Sequence, residues 1–170
     1  MSKATAVSHS NIALVKYWGK GDEKLRLPVN SSVAIALDNL TTTTTVEFLE
    51  TLQQDEVELV GGGFEEGEVE KVSKHLDRVR EMAGIKTRAK VVSNNSFPKA
   101  AGMASSASGF SALSVAAASA AGLKLSEKEL SILARQGSGS ASRSIPGGVS
   151  VWHAGISSET SYAERISYPK

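Results

Sequence analysis

Polar and apolar residues alternate loosely from Thr5 to Leu14, and a period of two predicts a first strand. The pattern breaks at Lys16-Tyr17-Trp18-Gly19-Lys20-Gly21-Asp22, where two glycines and three charges within seven residues predict a loop. After Leu25–Pro28, strand-like alternation returns over Asn30–Leu37. Five successive threonines, Thr41–Thr45, then lead into Val46, Glu47 and Phe48. β-branched threonine suits a pleated surface, so this run reads as an antiparallel strand with a solvated face rather than a low-complexity linker. A short strand at Val57–Val60 is closed by Gly61-Gly62-Gly63.

The period changes over Glu68–Ala83. Val69, Val72, Leu76, Val79 and Met82 follow one another at spacings of three, four, three and three, which puts them on one helical face, with Gly84 as the C-cap. Thr87–Ser93 reads as a strand and Ser105–Ala121 as a second helix ended by Gly122. Ser126 and Glu129 form the S-x-x-E pattern of a capping box and open a third helix running to about Gln136. Gly147-Gly148 then turns into a strand over Val149–Trp152. The pattern predicts an α+β fold, a largely antiparallel sheet packed against helices.

The chain's 170 residues fit one domain, 1–170, and 41% hydrophobic with 22% charged residues supports a folded core. A net charge of +1 gives no field for nucleic acid. The absence of cysteine removes disulfides, thiolate nucleophiles and cysteine metal sites together. His9, His75 and His153 show no ligand spacing, so no protein-held metal is expected. The N-terminus lacks the apolar core of a secretory signal, and the alanine-rich stretch Val115–Ala121 is too short for a membrane span. A soluble, cytoplasmic protein without membrane partners is expected.

Fourteen of the 25 serines lie between Ser93 and Ser144, in two dense clusters. The first is Pro98-Lys99-Ala100-Ala101-Gly102-Met103-Ala104-Ser105-Ser106-Ala107-Ser108-Gly109, leading into the alanine-rich helix. A small-residue loop at a helix N-terminus offers free N–H groups and a positive dipole end to an anion, phosphate in particular. The same residues equally suit close helix packing, with Ser105 as a cap. Neither the Walker A pattern nor G-x-G-x-x-G occurs there. The second cluster, Arg135-Gln136-Gly137-Ser138-Gly139-Ser140-Ala141-Ser142-Arg143-Ser144, brings four hydroxyls together with the planar fork of Arg143. It reads either as an anion-binding loop or as a flexible linker, and a linker has no need of Arg143. Lys16 and Lys20, flanking Tyr17, Trp18 and Gly19, form a third element that could clamp an anion. Three such elements in one domain imply a substrate with several phosphates.

N-I-A-L-V-K-Y-W-G-K at 11–20, P-V-N-S-S at 28–32, S-F-P-K-A-A-G-M-A-S-S-A-S-G at 96–109 and R-Q-G-S-G-S-A-S-R-S at 135–144 together resemble the mevalonate diphosphate decarboxylases of the GHMP kinase superfamily. The resemblance covers nearly the whole chain but only the N-terminal half of the family enzyme. It implies a GHMP kinase-like N-terminal domain. It also implies ATP-dependent decarboxylation of mevalonate 5-diphosphate to isopentenyl diphosphate, in which ATP phosphorylates the 3-hydroxyl and phosphate leaves as carbon dioxide departs. ATP and Mg²⁺ are the implied cofactors, and the full-length enzyme is expected to be a homodimer.

Carried over by residue, the resemblance makes Lys16 and Arg143 the catalytic candidates. Tyr17, Trp18, Gly19, Lys20, Lys71, Ser138, Gly139, Ser140, Ala141 and Ser142 join Arg143 in binding substrate. Ser93, Asn94, Ala101, Gly102, Met103, Ala104, Ser105, Ser106, Ala107 and Ser108 bind nucleotide. Pro146 replaces the aromatic residue of many members and is expected to reshape its turn. The family's catalytic aspartate falls in the second half, and Asp22, Asp38, Asp55 and Asp77 all lie outside the serine clusters. The chain is therefore expected to be a fragment, a truncated product or one piece of a split enzyme, which binds poorly or not at all alone, does not turn over, and leaves apolar surface exposed. The alternatives are a 5-phosphomevalonate decarboxylase, a mevalonate 3-kinase or a non-catalytic phosphate-binding remnant.

Overall fold

The computed structural model describes residues 3–63, 67–97 and 105–167. Two long antiparallel strands form its spine, β1 (Lys3–Val15) and β4 (Ser32–Leu49). Between them, β2 (Lys20–Asp22) and β3 (Leu27–Pro28) make a small separate hairpin. The two strands expected at Asn30–Leu37 and Thr41–Phe48 are thus one strand of 18 residues. The polar residues between them stay in the strand as a bulge of β4: across the register shift between His9 and Asn11, Leu37–Leu40 stand opposite Ser10. His9 Nδ1 donates across that shift to the carbonyls of Leu37 and Asp38, at 3.3 and 3.0 Å.

The other edge of β4 is shared. β6 (Arg88–Asn95) pairs with its C-terminal half and β7 (Val149–Trp152) with its N-terminal half, both antiparallel. β8 (Ala163–Ser167), which the hydropathy pattern did not show, adds to β7. β5 (Glu56–Leu59) lies parallel to β6, with helix α1 (Glu68–Ala83) as the crossover between them. All the other pairings among the described residues are antiparallel, as the alternation implied.

α2 (Ser105–Ala120) and α3 (Glu127–Gly137) complete the helical elements, followed by a 3₁₀ turn over Gly139–Ser144. Ser126 and Glu129 make both bonds of the capping box, and Gly84 ends α1 at φ 65°. The buried side of β4, Thr42, Thr44, Val46 and Phe48, faces the helices. Val46 and Phe48 meet Leu76, Val79, Val91, Leu113 and Leu133 in the main apolar core. Each of these larger side chains contributes roughly 1.5–3 kcal/mol by leaving water.

The α1 face differs in part from its pattern. Val69 and Met82 are exposed near the ends of the helix, while His75 and Arg80 are buried. Arg80 Nη1 and Nη2 donate to the two carboxylate oxygens of Asp55 at 3.0 and 2.9 Å, so its burial is paired. Arg135, buried on α3, clamps the chain by donating to the carbonyls of Leu25, Ser158 and Ser161. Its partners are backbone oxygens and the Ser158 hydroxyl, so Arg135 serves as a brace and Arg143 alone stands for the cluster's anion chemistry. At the turn after Ser144, the Pro146 carbonyl accepts from Arg165 Nε at 2.7 Å, and Gly147 and Gly148 take positive φ. On the sheet's outer face Val7, Ile12, Leu14 and Ile35 stand exposed. Among the described residues, no helix is long and apolar enough to cross a membrane.

Candidate functional site

The inner face of β1 turns polar toward its C-terminal end, and α2 answers with hydroxyls. Ser8 Oγ donates to Ser111 Oγ at 2.8 Å and Ser10 Oγ to Ser108 Oγ at 3.2 Å. Ser108 Oγ also lies 2.7 Å from Thr42 Oγ1, which donates to Asn95 Oδ1 at 2.7 Å. Asn11 Nδ2 donates to Ser144 Oγ at 2.8 Å and to the Ser140 carbonyl at 3.0 Å, tying β1 to the 3₁₀ turn. These buried polar groups satisfy one another, so the seam holds the N-terminal end of α2 without an apolar core.

Arg143 sits at the end of this seam, 4% exposed. Its Nη1 donates to Ser32 Oγ at 2.6 Å and its Nε to Asn11 Oδ1 at 3.3 Å. No carboxylate among the described residues forms an ion pair with it. Burial pushes its pKa down from the ordinary arginine value, with the nearby Tyr17 opposing that fall. A buried cation held only by neutral acceptors is costly, and an arriving anion offsets that cost.

The remaining polar groups converge on the same place. Ser106 Oγ of α2 lies 3.5 Å from Ser138 Oγ, which lies 3.4 Å from Ser140 Oγ, so both serine clusters meet in one row of hydroxyls. Asn30 braces the early loop, donating to the Lys16 carbonyl at 3.1 Å and accepting from the Trp18 N–H at 3.0 Å. The Tyr17 ring reaches in beside Arg143, 5.9 Å from its guanidinium carbon. Lys16 and Lys20 lie on the exposed side of this loop, and Lys20 pairs with Glu23 at 2.8 Å.

Beside the row lies a cavity of about 180 Å³. Val57, Leu59, Val72 and Phe110 give it apolar walls, Ser93 and Asn95 polar ones, and Ser105 and Ser106 border it from the start of α2. Lys71 and Glu68 stand on its α1 side. Apolar walls with few polar groups suit a flat organic ring, and a helix N-terminus at the border suits phosphates attached to it.

Several residues expected in the site are packed away from the hydroxyl row. Ala107 and Ser108 are buried against the sheet, Ser108 within the hydroxyl seam. Ala141 and Ser142 face inward, and Ser142 Oγ donates to the Gly139 carbonyl at 2.8 Å. The alternation in G-S-G-S-A-S-R-S misleads because three residues per 3₁₀ turn, not two, set which side chains align. On β6, Ser93 and Asn95 line the cavity, whereas Asn94 between them is exposed on the other side of the strand. Trp18 is 80% exposed. Gly19, at φ 113°, accepts from the Val29 N–H at 3.2 Å and shapes the loop. Lys71 borders the cavity and makes no hydrogen bond with Ser138 or Ser140. Ala101, Gly102, Met103 and Ala104 lie outside the described residues.

Sequence reasoning missed Asn11 and Trp152. The polar Asn11 inside an otherwise strand-like run was the available signal for the first. Nothing in the sequence distinguished Trp152 from an ordinary end of a strand.

A family model described as "Diphosphomevalonate decarboxylase-like N-terminal domain" matches residues 8–163. A phosphomevalonate decarboxylase from Haloferax volcanii is 41% identical over 165 residues, 96% of this chain and 51% of the relative. The human diphosphomevalonate decarboxylase is 37% identical over 171 residues, 91% of this chain and 42% of the relative. Among solved structures, mevalonate diphosphate decarboxylase from Staphylococcus aureus shares 49% identity at a TM-score of 0.93, over 98% of this chain and 50% of that one. A structure of MDDEF in complex with MVAPP, AMPPCP and magnesium gives 49% identity and a TM-score of 0.92, over 98% of this chain and 51% of that one. The chain thus spans about half the length of the relatives it matches. The motifs, the likeness to solved structures and a family match running from the first buried serine of β1 into β8 agree, and the chain belongs to the diphosphomevalonate decarboxylase-like N-terminal domain family.

Proposed function

We propose that this chain is the nucleotide- and substrate-phosphate-binding half of an enzyme that uses ATP to decarboxylate mevalonate 5-diphosphate to isopentenyl diphosphate. The observation that carries the reading is Arg143, a buried cation without an ion-paired carboxylate among the described residues, beside the Tyr17 ring and at the end of the turn that holds Ser138 and Ser140. Tyr17, Ser138 and Ser140 bind the substrate diphosphate, with Lys20 released from Glu23 to join them. Lys16 bridges toward the transferred phosphoryl group, and Arg143 takes the carboxylate or the neighbouring phosphate oxygens. The nucleoside occupies the cavity of about 180 Å³. Ser105 and Ser106 with the α2 N–H groups hold its phosphates, and Lys71 adds charge at the border.

Positioning and charge neutralisation supply most of phosphoryl-transfer catalysis, and these residues are suited to both. Magnesium, when bound with the nucleotide, would be held by its phosphates beside Ser105 and Ser106 and would neutralise their charge. The same reading takes the working enzyme to be a cytoplasmic homodimer, as the family resemblance implies.

A second reading, a phosphomevalonate decarboxylase, rests on the 41% identical Haloferax relative of that name and on Lys20 being neutralised by Glu23. Fusing this chain to the C-terminal half of the S. aureus enzyme tests both. ATP-dependent carbon dioxide release from mevalonate 5-diphosphate by the fusion, and none by either half alone, is the expected result. Release only from the monophosphate selects the second reading. A folded fusion that binds ATP but releases carbon dioxide from neither substrate overturns both.

A further inference from the structure

Trp152 ends β7 and is the largest of the fully buried side chains. Its indole N–H donates to Ser161 Oγ at 3.0 Å, and Ser161 in turn donates to the His153 carbonyl at 3.0 Å. The indole's single donor is therefore used on the side of β8, and Trp152 meets the candidate site through its rings alone. Three separate components of that site rest on those rings.

The Tyr17 ring stands edge-on to Trp152, with centroids 4.9 Å apart at an interplanar angle of 74°. The Arg143 guanidinium carbon lies 5.8 Å from the indole. Gly139, where the 3₁₀ turn begins, packs so closely that a Cβ there would come within 3.0 Å of Trp152 Cη2 and 3.2 Å of the Tyr17 hydroxyl. Arg143's hydrogen bonds go to the neutral Asn11 and Ser32, and the faces of Tyr17 and Trp152 add negative potential without adding a charge. A carboxylate in that place would neutralise the cation and repel an anionic ligand. An aromatic platform steadies the cation while leaving it attractive to an anion.

We propose that Trp152 is a positioning residue of the anion site, holding Tyr17, the Gly139 backbone and the Arg143 guanidinium in one arrangement competent for a diphosphate. The proposal rests on the reading above, in which this place takes a diphosphate, and assigns Trp152 the role of setting its geometry without touching the ligand.

The test uses inorganic diphosphate and the 170-residue chain, with 5-fluorotryptophan at both tryptophan positions. In ¹⁹F spectra the buried Trp152 resonance is the one that a soluble relaxation agent leaves sharp, because Trp18 is exposed. Diphosphate is expected to shift that buried resonance along a saturating curve, even where affinity is weak. By calorimetry, Trp152→Leu is expected to weaken diphosphate binding by about tenfold or more, and Trp152→Phe, which keeps a ring, by no more than about threefold. Ser161→Ala removes the indole's acceptor but leaves the rings, so it should lower thermal stability while affinity stays within about threefold.

A saturable shift with Trp152→Leu also binding within about threefold overturns the role of Trp152 and leaves the diphosphate reading standing. Affinity losses that merely follow thermal stability across the variants overturn it too. Should Trp152→Leu fail to fold, the ¹⁹F titration decides: binding by calorimetry without movement of the buried resonance contradicts the proposal. Where the unsubstituted chain alone binds no diphosphate, the same variants are compared in the fusion to the S. aureus C-terminal half. No diphosphate binding there overturns the diphosphate reading, and binding that Trp152→Leu leaves within about threefold overturns the role of Trp152 alone.

Discussion

The two ends of α2 lie over the same sheet and are packed by opposite chemistry. Toward the C-terminal end, Leu113, Ala116, Ala117 and Ala120 meet Val46, Phe48, Leu76 and Val79 in a dry core. Toward the N-terminal end, Ser108 and Ser111 meet Ser8, Ser10 and Thr42 through hydroxyl bonds, and the buried Arg143 lies beyond them. The apolar end draws its stability from burial, which needs no ligand. The polar end satisfies its own hydroxyls yet holds a cation short of negative charge, so its full satisfaction awaits an anion. Stability is concentrated at one end and ligand chemistry at the other, within a helix of 16 residues.

The largest expected effects separate the two ends outright. Arg143→Ala, in the fusion that completes the enzyme, should cost on the order of 2–5 kcal/mol in kcat/KM. Leu76→Ala should cost about 2–5 kcal/mol of unfolding free energy, while kcat/KM per folded molecule stays near its starting value. Denaturant titration and steady-state kinetics on both variants check the contrast, which fails if the two variants behave alike.

Next comes pH. His75 is buried beside Phe110, its ring 5.3 Å away edge-on, and its Nε2–H donates to Ser114 Oγ at 2.8 Å. Ser114 has given its own proton to the Phe110 carbonyl at 2.6 Å, which fixes this tautomer. Among the described residues, His75 Nδ1 is the one buried side-chain polar atom without a hydrogen-bond partner. Burial first, then the positive charges of Arg78 and Arg26, push its pKa from 6.5 down to about 3. The unfolded chain therefore takes up a proton below pH 6.5 while the folded chain stays neutral until about 3, so stability is fully present above 6.5 and lost as pH falls. The slope should approach about 1.4 kcal/mol per pH unit within that window, and His75→Gln should flatten it in denaturant titrations across pH.

A smaller effect sharpens the boundary between the ends. Ser106→Ala removes one hydroxyl from the shared row and at most a helix cap worth about 1 kcal/mol. Nucleotide KM in the fusion should rise by more than the stability loss accounts for. Matching losses would reduce Ser106 to a cap.

The contrast also explains what the sequence reveals. The apolar end obeys simple periods: the α1 limits, the Gly84 cap and the inward positions of Thr42, Thr44, Val46 and Phe48 all follow from repeats of 3.6 or two. The merger of two expected strands into β4 was hidden because the bulge that joins them forms only against β1, far away in sequence. At the polar end the gathering of serines with Arg143 was legible from residue type and clustering, while the expectations for Tyr17, Ser138 and Ser140 one by one came from the family resemblance. Which serines face a ligand was not, since a 3₁₀ turn and close helix–strand packing bury Ser142 and Ser108 among identical neighbours. The cavity's use of Asn95 rather than Asn94 is a matter of strand parity, which pairing with β4 decides. Trp152 gave no sign because its part depends on contacts with Tyr17, Gly139 and Arg143, none of them local.

The central claim, that the polar end holds Arg143 in readiness for an anion, is tested most directly by thermal unfolding of the 170-residue chain and its Arg143→Met variant, each with and without inorganic diphosphate. Methionine keeps the apolar stem and removes the buried charge. The account predicts that Arg143→Met melts no lower than the unsubstituted chain without ligand, and that diphosphate raises the melting temperature of the unsubstituted chain alone. A variant that melts lower without ligand, with diphosphate leaving both proteins unchanged, would contradict it and make Arg143 a structural brace like Arg135.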